Sequence, residues 1–206
     1  MTRAVSLVVG LAVFALGIVS LYEARLGLSP WDTLNQGIAK HSPLSFGIAN
    51  IAVGCCVLAL AFFLGARIGA GTVANAVLVG SFVDLLLRVH AVKHLGDASL
   101  TARIGLLIVG VLLMGIATAI YIGASFGAGP RDSLMLALTQ RTRLRVGAIR
   151  GLLEATALGA GFVLGGKVGV GTVVYVVAIG PVVEASFAAL GRSPFSATAA
   201  VVAASA

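Results

Sequence analysis

Long apolar runs separated by short polar connections are the main pattern along the chain. A helix needs about 20 apolar residues to cross a hydrocarbon core of about 30 Å. The first run is longer than the apolar part of a signal peptide, so we expect it to be retained as a span. The pattern predicts an all-α, polytopic membrane helix bundle with six transmembrane helices, over residues 5–24, 46–65, 71–90, 104–123, 146–165 and 171–190.

Composition supports a membrane protein and argues against a nucleic-acid-binding one. Of 206 residues, 59% are hydrophobic and 10% are charged, whereas globular domains carry about a quarter charged residues. The formal net charge is +7, but the basic residues are scattered over short connections instead of lining a folded polar domain. We therefore expect contacts with the lipid bilayer and no nucleic-acid partner. Basic residues divide seven to six between the two sides, which favours both termini in the cytoplasm.

The chain contains an internal repeat with a period of one hundred residues. Without a gap, 22 of the 87 positions from Arg3 to Val89 match the residue one hundred places later. The matches include glycines, a proline and an aspartate, which an apolar bias alone does not align. We predict one integral membrane domain, 1–206, that consists of repeats 3–90 and 103–190 and a short tail, 191–206.

Each repeat holds three predicted spans, which is an odd number, so consecutive repeats must enter the membrane from opposite sides. The prediction is two inverted three-helix repeats, related by a pseudo-two-fold axis in the membrane plane. Inverted repeats are common in secondary transporters, whose binding sites lie where the repeats meet.

A paired element follows the first span of each repeat. It reads GLSPWD in the first copy and GAGPRD in the second. Ser29 is a favoured helix N-cap, Pro30 suits the first helical position, and Asp32 falls at the third helical position. In the second copy, Pro130 falls at the first helical position and Asp132 at the third. Each repeat is therefore predicted to have a short extra helix after its first span.

Two interpretations of these short helices remain open. In the interfacial one, Trp31 lies on an amphipathic face at the membrane surface and the aspartates complement the helix dipoles. In the re-entrant one, the helices dip into the membrane and Asp32 and Asp132 bind a cation or a proton. Trp31 and Arg131, their sequence neighbours, are then candidate binding residues as well.

A second paired element, GARIGAGT and later GGKVGVGT, joins the last two spans of each repeat. It lacks the GK[ST] ending of a phosphate-binding P-loop and follows no strand, so we expect no nucleotide binding. We predict a tight turn in which Gly71 and Gly171 allow close helix packing. Thr72 and Thr172 are predicted to cap the helices that follow.

Polar residues in or near the predicted spans are further candidates, because a charge at mid-bilayer costs about 2.5–3.5 kcal/mol and needs a partner. Asp84 is also able to pair with Arg88 or loop cations in a purely structural role. Arg150 and Glu154 lie four apart on one helical face and are expected to neutralise each other as a structural pair. Four residues are assigned to solute or ion binding: Asn75, Tyr175, Asp84 and Glu184.

Catalysis, metals and cofactors have little support in the sequence. The histidines sit in connections without the spacing of a membrane metalloprotease, and no GxSxG element is present. Cys55 and Cys56 are adjacent within a span and suit neither a disulfide framework nor a zinc site. We expect no enzymatic activity, no metal and no cofactor.

The motifs GLSPWDTLNQG with LSFG, GAGPRDSLMLAL and the paired GxGT turns resemble one family. It is the YczE/YyaS/YitT group of bacterial integral membrane proteins, and the YczE branch in particular. The similarity extends over about residues 8–190. It implies a multi-spanning protein of the bacterial cytoplasmic membrane, and it brings no established substrate or catalytic residue.

Two functions are compatible with these features. The first is a small secondary transporter or permease that moves a small solute, coupled to an ion or a proton, through the repeat interface. The second is a non-transporting accessory or sensing subunit whose paired elements dock a partner protein. A permease is expected to be complete alone or as a homodimer, and a dry, closed repeat interface would favour docking.

The inverted repeat predicts that equivalent positions lie on opposite faces of the membrane. Lys40 and Gln140 each follow the short helix of their repeat. Labelling both positions from outside intact cells should modify only one of them. Modification of both from the same face would contradict the inversion.

Overall fold

The structure, a computed structural model, describes residues 3–66, 68–89, 92, 95–142 and 144–190. The predicted tail, 191–206, lies outside the described residues. A 3-10 turn, Leu95–Asp97, precedes the second half of the chain. That part of the chain contains no strand and the following α-helices: α1 (Arg3–Ala24), α2 (Pro30–Lys40), α3 (Phe46–Phe63), α4 (Ala70–Arg88), α5 (Leu100–Ile122), α6 (Pro130–Thr142), α7 (Val146–Val163) and α8 (Val170–Ala189).

Five of these helices, α1, α3, α4, α5 and α8, are long and apolar enough to cross a membrane, with 18 to 23 residues each. The predicted all-α membrane bundle is thus confirmed. α7 also has 18 residues, but it carries Arg150 and Glu154 and is not one of the five. The sixth span stays a prediction.

The helices α1 and α5 pack along each other in the middle of the molecule and run antiparallel. At one end, Arg3 Nε donates a hydrogen bond to the carbonyl of Ala124 at 3.0 Å. At the other, Arg103 Nε donates to the carbonyl of Ala24 at 2.8 Å. Each arginine at the start of one helix therefore holds the end of the other. Several large, fully buried side chains of the core come from these helices, among them Leu11, Ile18, Leu21 and Met114.

A reciprocal pair of backbone hydrogen bonds joins the two halves, and we call it the glycine clamp. Gly71 N–H donates to the carbonyl of Phe126 at 2.8 Å, and Gly171 N–H donates to the carbonyl of Leu26 at 2.8 Å. In each case the turn before the last helix of one half binds the loop after the first helix of the other half. The loop motif of each repeat thus binds the turn motif of the other repeat.

Glycine is required at positions 27 and 127 of this clamp. Gly27 has φ 128° and Gly127 has φ 126°, a left-handed region that favours glycine. A Cβ on Gly27 would lie 2.7 Å from Thr172 Oγ1, and one on Gly127 would lie 2.6 Å from Thr72 Oγ1. Both the backbone conformation and the lack of space exclude a larger residue.

Of the two threonines predicted to cap helices, Thr172 bonds the start of α8, whereas Thr72 makes no such bond with a described residue. The N-caps of α4 and α8 are Gly69 and Gly169, so each threonine lies three residues inside the cap. Thr172 Oγ1 accepts a hydrogen bond from Gly169 N–H at 3.3 Å, while Thr72 Oγ1 is buried without one. The physical reason is the clamp, because a carbonyl of the other half satisfies an N–H group at each helix start.

The short helices also cross over between the halves, so that α2 packs against α7 and α6 packs against α3. A Cβ on Gly37 of α2 would lie 2.6 Å from Leu164 Cβ. Pro30, Trp31 and Asp32 are all buried. This burial disagrees with the interfacial interpretation, in which Trp31 lies at the membrane surface, and it agrees with helices enclosed by protein.

Equivalent helix pairs in the two halves differ in their packing. In the α3–α4 interface, a Cβ on Gly47 would lie 2.2 Å from Gly80 O, and one on Gly80 would lie 2.4 Å from Gly47 O. Gly147 and Gly180 are their counterparts in α7 and α8, and a Cβ on either would have no neighbour within 4 Å among the described residues. One interface is therefore closed, and the other forms an open space that we call the α7–α8 gap.

Asp84 holds the α3–α4 interface together. Its carboxylate accepts hydrogen bonds from the Ser45 hydroxyl and, at 2.8 Å, from Gly47 N–H. The expected contact with Arg88 or loop cations is thus replaced by a bond to the start of α3, because the helix end offers free N–H groups. Glu184, its counterpart, is exposed and has no hydrogen bond or ion pair with any residue described.

The closed interface predicts a large difference between two matched substitutions. Gly47→Ala should lower the free energy of unfolding by about 1–3 kcal/mol through overpacking against Gly80. Gly147→Ala introduces the same methyl group into open space and should change it by less than about 0.5 kcal/mol. Thermal unfolding of the purified variants in detergent would measure both. Equal losses would contradict the asymmetry.

Candidate functional site

A cavity of about 290 Å³ lies between the two halves, and all eight helices contribute to its wall. Many of the lining residues are equivalent positions of the two repeats, so the cavity lies where the repeats meet. These pairs are Pro30 and Pro130, Trp31 and Arg131, Asn50 and Arg150, Val53 and Leu153, Gly54 and Glu154, Asn75 and Tyr175, and Val79 and Ile179.

The starts of α2 and α6 meet at this cavity. The guanidinium of Arg131 lies over the indole ring of Trp31, 5.0 Å from the ring centre. A cation over an aromatic face is attracted by the ring quadrupole. This contact between equivalent residues joins the two short helices and places a charge and an aromatic ring in the cavity wall.

Several nearly buried polar side chains in the wall have unused hydrogen-bonding capacity. Tyr121 is 5% exposed, Asn50 8% and Tyr175 9%, and none of the three side chains bonds to a described residue. Buried polar groups are normally paired with protein or with water. The wall therefore offers binding capacity to whatever fills the cavity.

Asp32 does not belong to this wall, because it is 0% exposed and engaged in the cap of α2. Its carboxylate accepts from the hydroxyl of Ser29 and, at 3.5 Å, from the amide of Asn35. Its own N–H donates to Ser29 Oγ at 3.2 Å. The first aspartate of the pair is thus a structural residue of the helix start.

Asp132 lies at the equivalent position of α6 but in different surroundings. The N-cap position is Gly129, which has no side chain to bond the aspartate. Asp132 lines the cavity, and its carboxylate neither accepts a hydrogen bond from nor forms an ion pair with any residue that the structure describes. The second aspartate of the pair is therefore free to bind a ligand.

The surroundings of the two aspartates raise the pKa of both carboxyl groups. Burial raises the pKa of Asp32 above its ordinary value, and the charge of Arg131 opposes this rise. Burial likewise raises the pKa of Asp132, against the opposing charge of Arg150. Both carboxyl groups thus hold a proton more readily than an exposed aspartate does.

Arg150 and Glu154 form the expected pair, with Nε and Oε1 3.1 Å apart. Both also line the cavity, so the residues assigned to structure alone belong to the site. Because an unpaired charge is costly in a membrane, this pairing lets the wall carry polar groups without a net charge at α7.

The structure brings together five of the candidates assigned to binding: Trp31, Asn75, Arg131, Asp132 and Tyr175. It does not bring Asp32, Asp84 or Glu184 to the cavity. The sequence analysis missed Tyr121, and it counted Asn50 among the polar residues within the spans without assigning it to binding. Asn50 carries a signal, because it is a polar residue within an apolar run. Tyr121 carries none, since a tyrosine near the end of a span is equally typical of a membrane anchor.

Comparison with known proteins identifies the family. Residues 1–188 match the model of DUF6198, which is described as a family of unknown function. The chain belongs to DUF6198. It is 33% identical over 191 residues to an uncharacterised protein of Haemophilus influenzae, covering 90% of this chain and 86% of that protein. No solved structure matches it.

Two Bacillus subtilis proteins are also similar to this DUF6198 chain. The uncharacterised membrane protein YczE is 32% identical over 179 residues, covering 86% of this chain and 81% of YczE. The uncharacterised protein YyaS is 28% identical over 194 residues, covering 89% and 95%. The resemblance to the YczE and YyaS proteins is thus confirmed, and so is the assignment to membrane proteins.

Replacing each aspartate by alanine should affect the stability of the protein differently. Asp32→Ala leaves the Ser29 and Asn35 side chains buried without their partner, so we expect a loss of about 1–3 kcal/mol in the free energy of unfolding. Asp132→Ala removes no hydrogen bond and should cause no such loss. Denaturant unfolding of the purified variants would test this, and equal destabilisation would contradict the assignment.

Proposed function

We propose that this DUF6198 protein is a secondary transporter of a small solute in the bacterial cytoplasmic membrane. In this proposal, α7 is the sixth span and the chain forms two inverted repeats, α1–α4 and α5–α8. The antiparallel packing of α1 and α5 supports the inversion. The reciprocal glycine clamp supports a two-fold relation between the halves, because its two hydrogen bonds join equivalent positions, one hundred residues apart in the chain.

One observation carries the proposal: a cavity whose largely apolar wall carries several polar side chains lies at the repeat boundary, with a closed interface on one side and an open gap on the other. Transporters with inverted repeats bind their solute at this boundary and expose it to each side in turn. An accessory subunit that only docks a partner requires no such cavity. Asp132 is the acidic group of the wall that is available to a coupling ion or proton, because Glu154 is paired with Arg150.

The side of the membrane from which the cavity is reached changes when the closed and the open helix interfaces of the two halves swap. In this exchange, α7 closes onto α8 while α3 separates from α4. Gly147 and Gly180 support this step, because they are small residues at contact positions where nothing touches them now. Small residues allow close helix approach in membranes, so the sequence of the gap suits a closed interface.

The acidic residues at these interfaces fit the same exchange. Asp84 bonds the start of α3 in the closed interface. Glu184 is the counterpart of Asp84 on α8, and Gly147 is the counterpart of Gly47 at the start of α7. When the gap closes, Glu184 takes the contact that Asp84 makes now, and Asp84 loses it.

The exchange can be tested with two disulfides in a chain whose Cys55 and Cys56 are replaced by alanine. The Cβ of Ala76 lies 3.5 Å from the point that a Cβ on Gly54 would occupy, which suits a disulfide. The pair Gly54→Cys and Ala76→Cys should therefore lock the present state. The pair Gly151→Cys and Gly180→Cys should form a disulfide only after the gap closes.

The readout is the accessibility of the cavity to water. Each locked protein additionally carries Asn75→Cys. A removable protecting group blocks the thiol at position 75 while the disulfide forms. After its removal, the protein is treated with a membrane-impermeant thiol reagent. We expect modification from one side of the membrane in the first lock and from the opposite side in the second. Modification from the same side in both locks, or failure of the second pair to form, would refute alternating access.

A further inference from the structure

The starts of α2 and α6 differ by one hydroxyl group. In α2, Ser29 Oγ accepts a hydrogen bond from Asp32 N–H at 3.2 Å and donates one to the Asp32 carboxylate. In α6, Gly129 takes the place of this serine, so neither the N–H nor the carboxylate of Asp132 has a hydroxyl to bond. The first repeat thus shows which chemical group satisfies the same helix start in the second.

Three polar atoms of the cavity converge on the point that a Cβ of Gly129 would occupy. They are Tyr121 Oη at 3.5 Å, Asn75 Nδ2 at 3.6 Å and Asp132 Oδ2 at 3.6 Å. A ligand atom lies farther out than this point, because a Cβ is only about 1.5 Å, one bond length, from its Cα. The three atoms therefore border one space beside Gly129, into which a ligand hydroxyl fits as their hydrogen-bond partner.

The buried side chain of Tyr121 is a second observation that points to a ligand at the start of α6. Its side chain is 5% exposed, packs edge-on against Phe14 and directs its hydroxyl toward Gly129 without bonding to any residue in the described part of the chain. A buried phenol that is held in place by packing and lacks a partner indicates that a ligand or water completes the group.

The hydrogen-bond donors and acceptors at this place determine which ligand group can satisfy all of them. The Asp132 carboxylate accepts hydrogen bonds, whereas the Asp132 N–H and the Asn75 amide nitrogen donate them. A group that satisfies both must donate and accept at once, as a hydroxyl does. An ammonium group only donates and a carboxylate only accepts, so each leaves part of the site unpaired.

The charge and the size of the cavity further restrict the class of ligand. Two guanidinium groups, of Arg131 and Arg150, are balanced by two carboxylates, of Asp132 and Glu154, so the lining has no formal net charge. A neutral solute disturbs this balance least. The cavity of about 290 Å³ lies near the lower end of the range for ligand pockets, about 300–1,000 Å³, which suits a small molecule.

Building on the proposed transport function, we infer that the solute is a small neutral polyol. One hydroxyl of the polyol bonds to Asp132 and Tyr121, as the Ser29 hydroxyl bonds to Asp32 in the first repeat. Asn50 and Tyr175 in the same wall are the partners of its other hydroxyls, and the carbon chain packs against Val57, Ile179 and Val183.

The single tryptophan of the chain, Trp31, lines this cavity, so its fluorescence reports on binding. Purified full-length protein in detergent is titrated with glycerol, erythritol, xylitol and mannitol, and in parallel with putrescine and with succinate. We expect a saturable change of emission with at least one polyol, and none with the diamine or the dicarboxylate. A response to putrescine or succinate alone, or to none of the six, would overturn the inference.

Gly129→Ser is the decisive variant, because it supplies the hydroxyl from the chain itself. Its Cβ meets only ordinary contacts, at 3.5 Å or more, so the fold is retained, which gel filtration and circular dichroism would verify. We expect polyol binding to weaken about tenfold or more, and Tyr121→Phe, which removes one hydroxyl, to weaken it about two- to tenfold.

The variants also separate specific binding from a general solvent effect. Polyols at high concentration stabilise any protein through exclusion from its surface, and this effect is the same in wild type and in Gly129→Ser. An unchanged polyol titration in Gly129→Ser would mean that water alone fills the place, which overturns the inference. The disulfide experiment is independent of the ligand, so alternating access can hold even if the polyol fails.

Discussion

The glycine clamp is the constraint on which the rest of this structure depends. Two backbone hydrogen bonds, from Gly71 to Phe126 and from Gly171 to Leu26, fix the end of each first helix against the start of the other half's last helix. Because an unpaired N–H is costly in an apolar environment, the bonds also satisfy helix starts that lack side-chain caps. The short helices α2 and α6 begin directly after these clamped loops, so their starts meet at one place.

This arrangement explains why two kinds of motif recur together. GLSPWD and GAGPRD supply the loop, and GARIGAGT and GGKVGVGT supply the turn that receives it from the other half. Each loop is hydrogen-bonded to the turn of the other repeat. A change at Gly27 or Gly127 therefore affects both halves at once, since each glycine touches the opposite threonine.

Similar sequences in the two repeats have adopted different packing, and this difference is the basis of the proposed transport cycle. Gly47 and Gly80 are in contact while Gly147 and Gly180 are apart. A chain whose halves can each form the closed interface has two arrangements of comparable free energy, which is what a ligand-driven exchange requires. The cavity between them combines unpaired polar groups with a balanced set of charges.

Departures from the repeat are as informative as the repeat itself. Ser29 and Gly129 occupy equivalent places, yet only the serine closes its helix start with a hydroxyl. The same holds for Asn50 and Arg150, which leave one half of the wall neutral and give the other an ion pair. Function in the proposed site thus arises where two copies of one helix block have diverged.

The sequence by itself determined the membrane class, the family, the repeat and the positions of the helices, because hydrophobic periodicity, glycine and proline act locally along the chain. It also placed Trp31, Arg131 and Asp132 beside each other at helix starts. Only the tertiary structure decided that Asp32 is sealed by Ser29 while Asp132 faces a cavity, and that Tyr121 and Asn50 join it. These outcomes depend on contacts between residues about one hundred positions apart, whose distances and open spaces no local pattern contains.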